Sequence, residues 1–195
     1  MKPGQTRTRK ILPQRFFDRP VCEVARDLLG TYLVRDIDGK KYAYLIVETE
    51  AYGGENDLAS HARSGKTARN WPMYAKAGTI YVYFTYGMHW MLNISTGKRG
   101  EPSAVLLRGI AAPEKGEIRL DGPARLTKHL SIDKTLSGKP LGKSAGLWIE
   151  DRGVKVSPRD VQTTPRIGIA YAGAWAKKPW RYILRAVCDG ERLTR

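Results

Sequence analysis

Residues 42–52 read YAYLIVETEAY and residues 78–95 read GTIYVYFTYGMHWMLNIS, and the way these two runs fold decides how the rest of the chain is read. The first is rich in aromatic and β-branched side chains, contains neither Gly nor Pro, and is bounded by Asp38-Gly39 before it and Gly53-Gly54 after it. Those are strand and turn signals, so the run predicts one long β-strand. Successive side chains of a strand point to opposite faces. Tyr44, Ile46, Glu48, Glu50 and Tyr52 therefore share one face, while Leu45, Val47, Thr49 and Ala51 share the other. The second set is apolar enough to meet a core. The first set mixes rings with carboxylates, which suits a cleft, because a carboxylate beside aromatic rings loses water and its pKa rises. A half-exposed strand with Glu48 and Glu50 in water satisfies the same pattern.

The second run predicts a β-hairpin. Ile80–Thr85 and His89–Ser95 are its arms, and Tyr86-Gly87-Met88 is the reversal, with Gly87 allowing the tight turn and Tyr86 and Met88 left near the tip. Along the first arm Tyr81 and Tyr83 point one way, Val82 and Phe84 the other. Tyrosines turned into a core are common, but large apolar groups on a projecting loop mark a contact surface. Between the two runs, ASHARSGKTARN brings His61 and a basic, glycine-containing loop.

Composition narrows the partner. Lys and Arg number 34 against 19 acidic residues, a formal net charge of +15 in 195 residues. Such a field favours a polyanion. The charge concentrates at Arg7–Lys10, Arg63–Arg69, Arg119–Lys134 and Lys177–Arg185, so a folded basic surface explains it better than one basic tail. Structural or ribosomal nucleic-acid binding explains the charge equally well. The histidines His61, His89 and His129 show no HxxxH or HxxE spacing, which argues against a dedicated metal site. The stretch 137–144, SGKPLGKS, lacks the P-loop pattern, and no cofactor is expected. Cys22 and Cys188 have no CxxC partner and suit a reducing compartment, although a disulfide between the two fits the same count. No apolar run approaches the ~18 residues of a membrane span, and the polar start MKPGQTRTRK has no hydrophobic signal core. The expectation is an intracellular monomer with no membrane partner, in the cytoplasm or nucleoid if bacterial and in the nucleus if eukaryotic.

The remaining punctuation organises the chain. Residues 20–30 predict a helix with an apolar stripe of Val21, Val24, Ala25, Leu28 and Leu29, ended by Gly30. Residues 31–35, 103–110 (SAVLLRGI, carrying Arg108), 146–150 and 181–187 predict further strands. Asp121-Gly122-Pro123 opens a helix through about Leu130, whose first N–H groups, with Arg125 and Lys128 beside them, can receive a phosphate. Ordinary helix initiation fits the same residues. No linker or repeat divides the chain, so residues 16–195 form one domain behind a flexible basic segment, 1–15.

Taken together and in this order, VETEAY, ASHARSG, GTIYVYFTYGMHWMLNIS, AVLLR, DGPARL and PRIGIAYAGAWAKKPWRY resemble the alkyladenine (3-methyladenine) DNA glycosylase family, from about Phe16 to Leu184. The resemblance implies a mixed α/β (α+β) single domain, with a curved antiparallel β-sheet, surrounding helices and a protruding hairpin. It implies monofunctional excision, without a cofactor, of alkylated or deaminated purines (the 3-methyladenine, hypoxanthine and ethenoadenine class) from double-stranded DNA, the first step of base excision repair. By motif it makes Glu50 the general base that activates water and Arg108 the partner that orients Glu50 or its water. It makes Tyr52 and Tyr83 opposite walls of the base pocket, His61 a contact to the extrahelical base, and Asn93 the residue that disfavours guanine. Tyr86 becomes the side chain inserted into the minor groove, with Met88 beside it on the tip, and the Ile167 carbonyl a further water contact. His89 and Trp90 stand where family members carry other aromatics.

The chemistry agrees. A base inside a duplex must be flipped out before its glycosidic bond can be attacked. Hydrolysis then passes through an oxocarbenium-like state. An N3- or N7-alkylated purine is already cationic and departs without a proton, so one carboxylate is enough. A neutral purine needs a proton, and no second acid is identified, although Glu48 shares the right face. The rival class is a catalytically silent binding module that uses the same rings for stacking.

Overall fold

The run YAYLIVETEAY lies inside one long strand, and the sheet is arranged around it. In a computed structural model that describes residues 9–112 and 118–185, the strands are β1 (Lys10–Ile11), β2 (Tyr32–Ile37), β3 (Lys40–Gly53), β4 (Ile80–Thr85), β5 (His89–Ser95), β6 (Ser103–Ala112), β7 (Ile118–Asp121), β8 (Leu147–Asp151), β9 (Val161–Thr164) and β10 (Arg181–Leu184). They form one antiparallel sheet in the order β1-β8-β2-β3-β6-β5-β4, with β7 added to β6, and β10 joining β3 to β9. The helices are α1 (Gln14–Phe17), α2 (Val21–Asp27) and α3 (Pro123–His129). The mixed α/β single-sheet architecture is the expected one.

β3 is central because every stretch of it finds a partner. It pairs with β2 along Lys40–Leu45, with β10 along Glu48–Glu50, and with β6 from Leu45 to Gly53. Residues 44–51 are all buried, so the alternative of a half-exposed strand with its glutamates in water is wrong: Glu48 is 5% exposed and Glu50 0%. The ladder with β6 is irregular at one place. Ile46 faces Ile110, Glu48 faces Gly109 and Thr49 faces Leu107, which leaves Val47 and Arg108 out of register. Gly109 is required there, since a Cβ at that position would lie 2.9 Å from the Glu48 Cβ, closer than two carbons can pack.

The main core is made of fully buried aliphatics such as Leu28, Leu33, Leu45, Ile46, Ile80, Leu92, Ile94, Leu107 and Ile110. Each contributes about 1.5–3 kcal/mol relative to exposure. α2 supplies Val24 and Ala25, and its Ala25 carbonyl accepts a hydrogen bond from the Thr49 hydroxyl at 2.7 Å. α3 is tied to β3 through the Tyr44 hydroxyl and His129 Nε2 at 2.6 Å. Two smaller clusters lie apart from this core. One holds Ala62, Met73, Tyr74, Tyr81 and Ala104, and the other Ala59, Ile169 and Ala172 with Tyr52 packed against it.

Several boundaries differ from expectation. The helix expected over 20–30 is Val21–Asp27, because its last turn gives way to Gly30 at a φ of +81°, a left-handed value that no helix accommodates. The strand expected over 181–187 ends at Leu184, and Ala186 and Val187 lie outside the described residues. Within the segment 1–15, expected to be flexible, Lys10 and Ile11 pair with Asp151 and Glu150, and Gln14 begins α1; residues 1–8 lie outside the described residues. SGKPLGKS serves as a strap along the edge strand β4. Gly138 N–H donates to the Ile80 carbonyl, Ile80 N–H to the Lys139 carbonyl and Val82 N–H to the Ser137 hydroxyl, which covers an edge otherwise open to pairing. Cys22 is a free, half-buried thiol, and Cys188 lies outside the described residues. Among the described residues no helix is long and apolar enough to cross a membrane.

Candidate active site

The hairpin forms as the sequence implies. β4 and β5 pair from Ile80↔Ile94 to Thr85↔His89, with both arms buried at the base of the hairpin and more open near the tip. Tyr86 and Gly87 both adopt positive φ, +52° and +66°, which closes the turn in three residues. Tyr86 is 79% exposed and Met88 66%. Phe84 and Trp90 stack across the arms at 4.6 Å and stiffen the stalk.

Where the hairpin, β3, β6 and the segment 166–171 converge there is a cavity of about 360 Å³. Tyr52, His61, Tyr83, Tyr86, Asn93, Arg108 and Ile167, all singled out from the sequence, line it together, and so do Tyr81, Met91 and Tyr171, which were not. Glu50 sits behind the inner wall, fully buried, and three of the lining residues hold it. Ile167 N–H donates to Glu50 Oε1 at 2.8 Å, the Tyr52 hydroxyl donates to Oε2 at 2.8 Å, and Arg108 Nη1 lies 3.5 Å from Oε2. Ile167, whose carbonyl the resemblance makes a water contact, thus also holds Glu50 through its N–H.

Burial is the largest influence on Glu50 and pushes its pKa above the ordinary carboxylate value. Arg108, the Ile167 N–H and the Tyr52 hydroxyl pull it back, and Glu48 adds to the rise. Tyr52 is driven far above the normal phenol range by burial and by the Glu50 carboxylate, so it remains a donor. Glu48, the other carboxylate on this face, is gripped by Arg108 Nε at 3.0 Å and by Arg181 Nε at 2.6 Å. Arg108 thus bridges the two acids. Its place out of register in the β6 ladder puts it there.

On the opposite side, the His61 ring meets Tyr83 edge-on, with centroids 4.4 Å apart. His61 Nδ1 is 2.9 Å from the Tyr81 hydroxyl, and burial, followed by Arg69 and Arg63, lowers its pKa to about 4, so the imidazole is neutral at physiological pH. Burial raises the Tyr83 phenol to about 12. Asn93 is 4% exposed, and its amide nitrogen donates to the carbonyls of Tyr81 at 3.2 Å and Met91 at 3.3 Å, which fixes the side chain in the cavity wall. Arg125 and Lys128 are exposed on α3, outside the cavity, although the first residue of that helix, Pro123, lines it. Among the described residues no three His, Cys, Asp or Glu side chains gather as a metal site would require.

Sequence reasoning missed Tyr81, Asp57 and Arg166. Asp57 and Arg166 are 109 positions apart and form a buried ion pair beside Tyr52. No local pattern announces such a pair. Tyr81 was visible as a tyrosine on the face of Tyr83, and the alternation along β4 was the available signal.

A family described as methylpurine-DNA glycosylase matches the chain over residues 15–187. The chain is 44% identical over 185 residues to a protein of Methanocella arvoryzae provisionally named 3-methyladenine DNA glycosylase, covering 88% of this chain and 91% of that one. It is 43% identical over 188 residues to a protein of the same provisional name from Carboxydothermus hydrogenoformans, covering 90% and 95%. It is 36% identical over 193 residues to the Homo sapiens protein named DNA-3-methyladenine glycosylase, covering 87% of this chain and 64% of the human one.

Proposed function

The chain belongs to the methylpurine-DNA glycosylase family, and from that premise we propose that it flips alkylated or deaminated purines out of duplex DNA and hydrolyses their N-glycosidic bond with water activated by Glu50. As a DNA glycosylase it acts in DNA repair, and the bond it breaks is an N-glycosyl bond. Its substrates are of the 3-methyladenine, hypoxanthine and ethenoadenine class, and it works as a monomer. The observation that carries the reading is Glu50 itself: a fully buried carboxylate behind an aromatic-lined cavity, with both oxygens held by groups that line that cavity. Burial raises its affinity for a proton, which is what a general base requires.

The other side chains take the roles that the family resemblance implies, which their places in the cavity support. Tyr52 and Tyr83 are stacking walls, and base–aromatic stacking returns about 1–3 kcal/mol per base against the few kcal/mol of unstacking. His61, neutral, offers the extruded base a hydrogen bond rather than a charge. Tyr86, exposed on the hairpin tip, fills the vacated position in the stack, with Met88 beside it. Asn93 crowds the place where guanine carries its amino group. Arg108 balances the charge of Glu50 and is itself positioned by Glu48. Arg125 and Lys128 contact backbone phosphates of double-stranded DNA, in keeping with the net charge of +15. A cationic N3- or N7-alkylated purine leaves as a neutral base, so Glu50 alone completes the reaction and no covalent enzyme intermediate is needed.

The test is incubation of duplex DNA bearing one hypoxanthine with the protein, then alkali to break abasic sites. A single strand break at the lesion is the expected product. Tight binding of that duplex and of methylated duplex, with no base released from either above a protein-free control, would instead establish a silent binding module.

A further inference from the structure

Arg166 immediately precedes Ile167 in the chain, and its side chain runs beneath β3 to Asp57, with both side chains 0% exposed. The guanidinium closes on the carboxylate by two bonds, Nη1 to Oδ2 at 2.6 Å and Nη2 to Oδ1 at 2.8 Å. Nη1 also donates to the Ala51 carbonyl at 2.8 Å and Nη2 to that of Trp175 at 3.4 Å. Asp57 in turn accepts the backbone N–H of Ala59 at 3.0 Å and of Gly53 at 3.3 Å. The planar cation lies 4.6 Å from the centre of the Tyr52 ring and 5.1 Å from that of Trp180.

Stability is a weak reason for such a pair, because the desolvation of two charges offsets most of their attraction. Arg166 Nε is moreover buried with no hydrogen-bond partner among the described residues. What the pair does is fix positions. It pins the carbonyl of Ala51, which stands between Glu50 and Tyr52. It packs on the Tyr52 ring, whose hydroxyl donates to Glu50 Oε2, and it ends the peptide whose N–H donates to Glu50 Oε1. One donor to each carboxylate oxygen is therefore anchored by the same guanidinium, while Arg108 approaches Oε2 independently.

We propose that Arg166, locked by Asp57, is a positioning residue for the general base, orienting Glu50 through the Ile167 N–H and the Tyr52 hydroxyl without touching the substrate. The inference rests on Glu50 being the base, as argued above. It also explains why the cation is arginine: a lysine ammonium cannot present the planar fork that grips Asp57 and the Ala51 carbonyl together.

The charged and titratable groups facing Glu50 are Glu48 and Tyr52 on β3, Arg108 from β6, Arg181 opposite it on β10 and Tyr83 from β4. Of these, Arg166 contacts Tyr52 alone, so changes at Arg166 or Asp57 reach Glu50 through the donors that Arg166 anchors, and the acid limb of the pH–rate profile reads them. The experiment is single-turnover excision of hypoxanthine from duplex DNA by the full chain, from acid to alkaline pH. The variants are Arg166→Lys, which keeps the charge and loses the fork, and Arg166→Met with Asp57→Asn, which leaves no unpaired buried charge. With a donor lost, ionised Glu50 is less favoured. The acid limb should move upward by about one pH unit, the loss of one charge-assisted hydrogen bond. The plateau rate should fall ~10–100-fold from misplacement, with lesion-DNA affinity unchanged. A folded variant with the acid limb of the wild type overturns the proposal, whatever its plateau, and so does failure of both variants to fold, which would assign the pair to the scaffold. Absence of excision by the wild-type protein, from this duplex and from methylated duplex alike, would overturn the reading of the function instead.

Discussion

Glu50→Gln separates the chemistry of the site from its architecture. The side chain is fully buried and its oxygens are met by the Ile167 N–H and the Tyr52 hydroxyl. Glutamine keeps the shape: its carbonyl oxygen still accepts from Ile167, and the Tyr52 hydroxyl can rotate to accept from the new amide. What disappears is the proton acceptor. Loss of a general base costs roughly 10²–10⁴-fold in rate, which at about 1.4 kcal/mol per factor of ten is about 3–5 kcal/mol of barrier. Stability should move the other way. The pKa of Glu50 is raised in the folded state, chiefly by burial. A carboxyl raised in this way favours the fold when protonated, at pH below its unfolded value, and that contribution is lost as pH rises through the folded value. At neutral pH the ionised form is thus a burden that glutamine removes, while Arg108 keeps Glu48 at 3.0 Å as its counter-ion. The expected result is a melting temperature at or above that of the wild type, lesion-DNA binding retained, and single-turnover excision nearly abolished. Near-normal excision would move the base to another residue; a lower melting temperature with lost binding would show that the charge of Glu50 is structural.

Three further outcomes are expected. Tyr86→Ala should leave the melting temperature nearly unchanged, because the ring is exposed and both residues bear the same left-handed backbone, while a fluorescent base analogue beside the lesion should report less of the flipped state; a loss of several degrees with intact excision would make Tyr86 a core residue. Asn93→Ser should raise release of normal or alkylated guanine relative to hypoxanthine. Because it leaves the buried Tyr81 and Met91 carbonyls without the amide, it should also cost ~1–3 kcal/mol by denaturant titration, and an unchanged guanine-to-hypoxanthine ratio removes Asn93 from selectivity. Borohydride added during turnover should trap no enzyme–DNA adduct, since the described residues that line the cavity include no lysine to form a Schiff base; a specific trapped species would refute monofunctional hydrolysis.

The parts of the fold that depend on neighbours in sequence were legible. The hairpin arms Ile80–Thr85 and His89–Ser95 match the expectation residue for residue, because alternation and a glycine turn are local signals. That Glu50 and Tyr52 share a face was legible from the period of a strand, and the hydrogen bond between them is what that spacing permits. Their burial was not, because it depends on β10, some 130 residues later, closing against Glu48–Glu50. The same holds for Glu48, whose partner Arg181 comes from that strand. The position of Arg108 depends on the irregular ladder between β3 and β6, which is set by the approach of Glu48 to Gly109 and leaves no mark in either strand alone. Nothing in the sequence around Asp57 or Arg166 marks them as a pair, because the partner of each lies 109 positions away.

The backbone at the hairpin tip bears on how this protein would respond to laboratory evolution. Tyr86 holds a φ of +52°, a conformation that costs a residue with a Cβ about 1–2 kcal/mol and glycine almost nothing. A library randomised at this position and sorted for heat resistance alone would drift toward glycine or asparagine. Sorted for survival under alkylating agents, the same library would return to aromatics if Tyr86 fills the vacated stack as proposed. The tip is thus a place where selection for endurance and selection for work pull one codon in opposite directions.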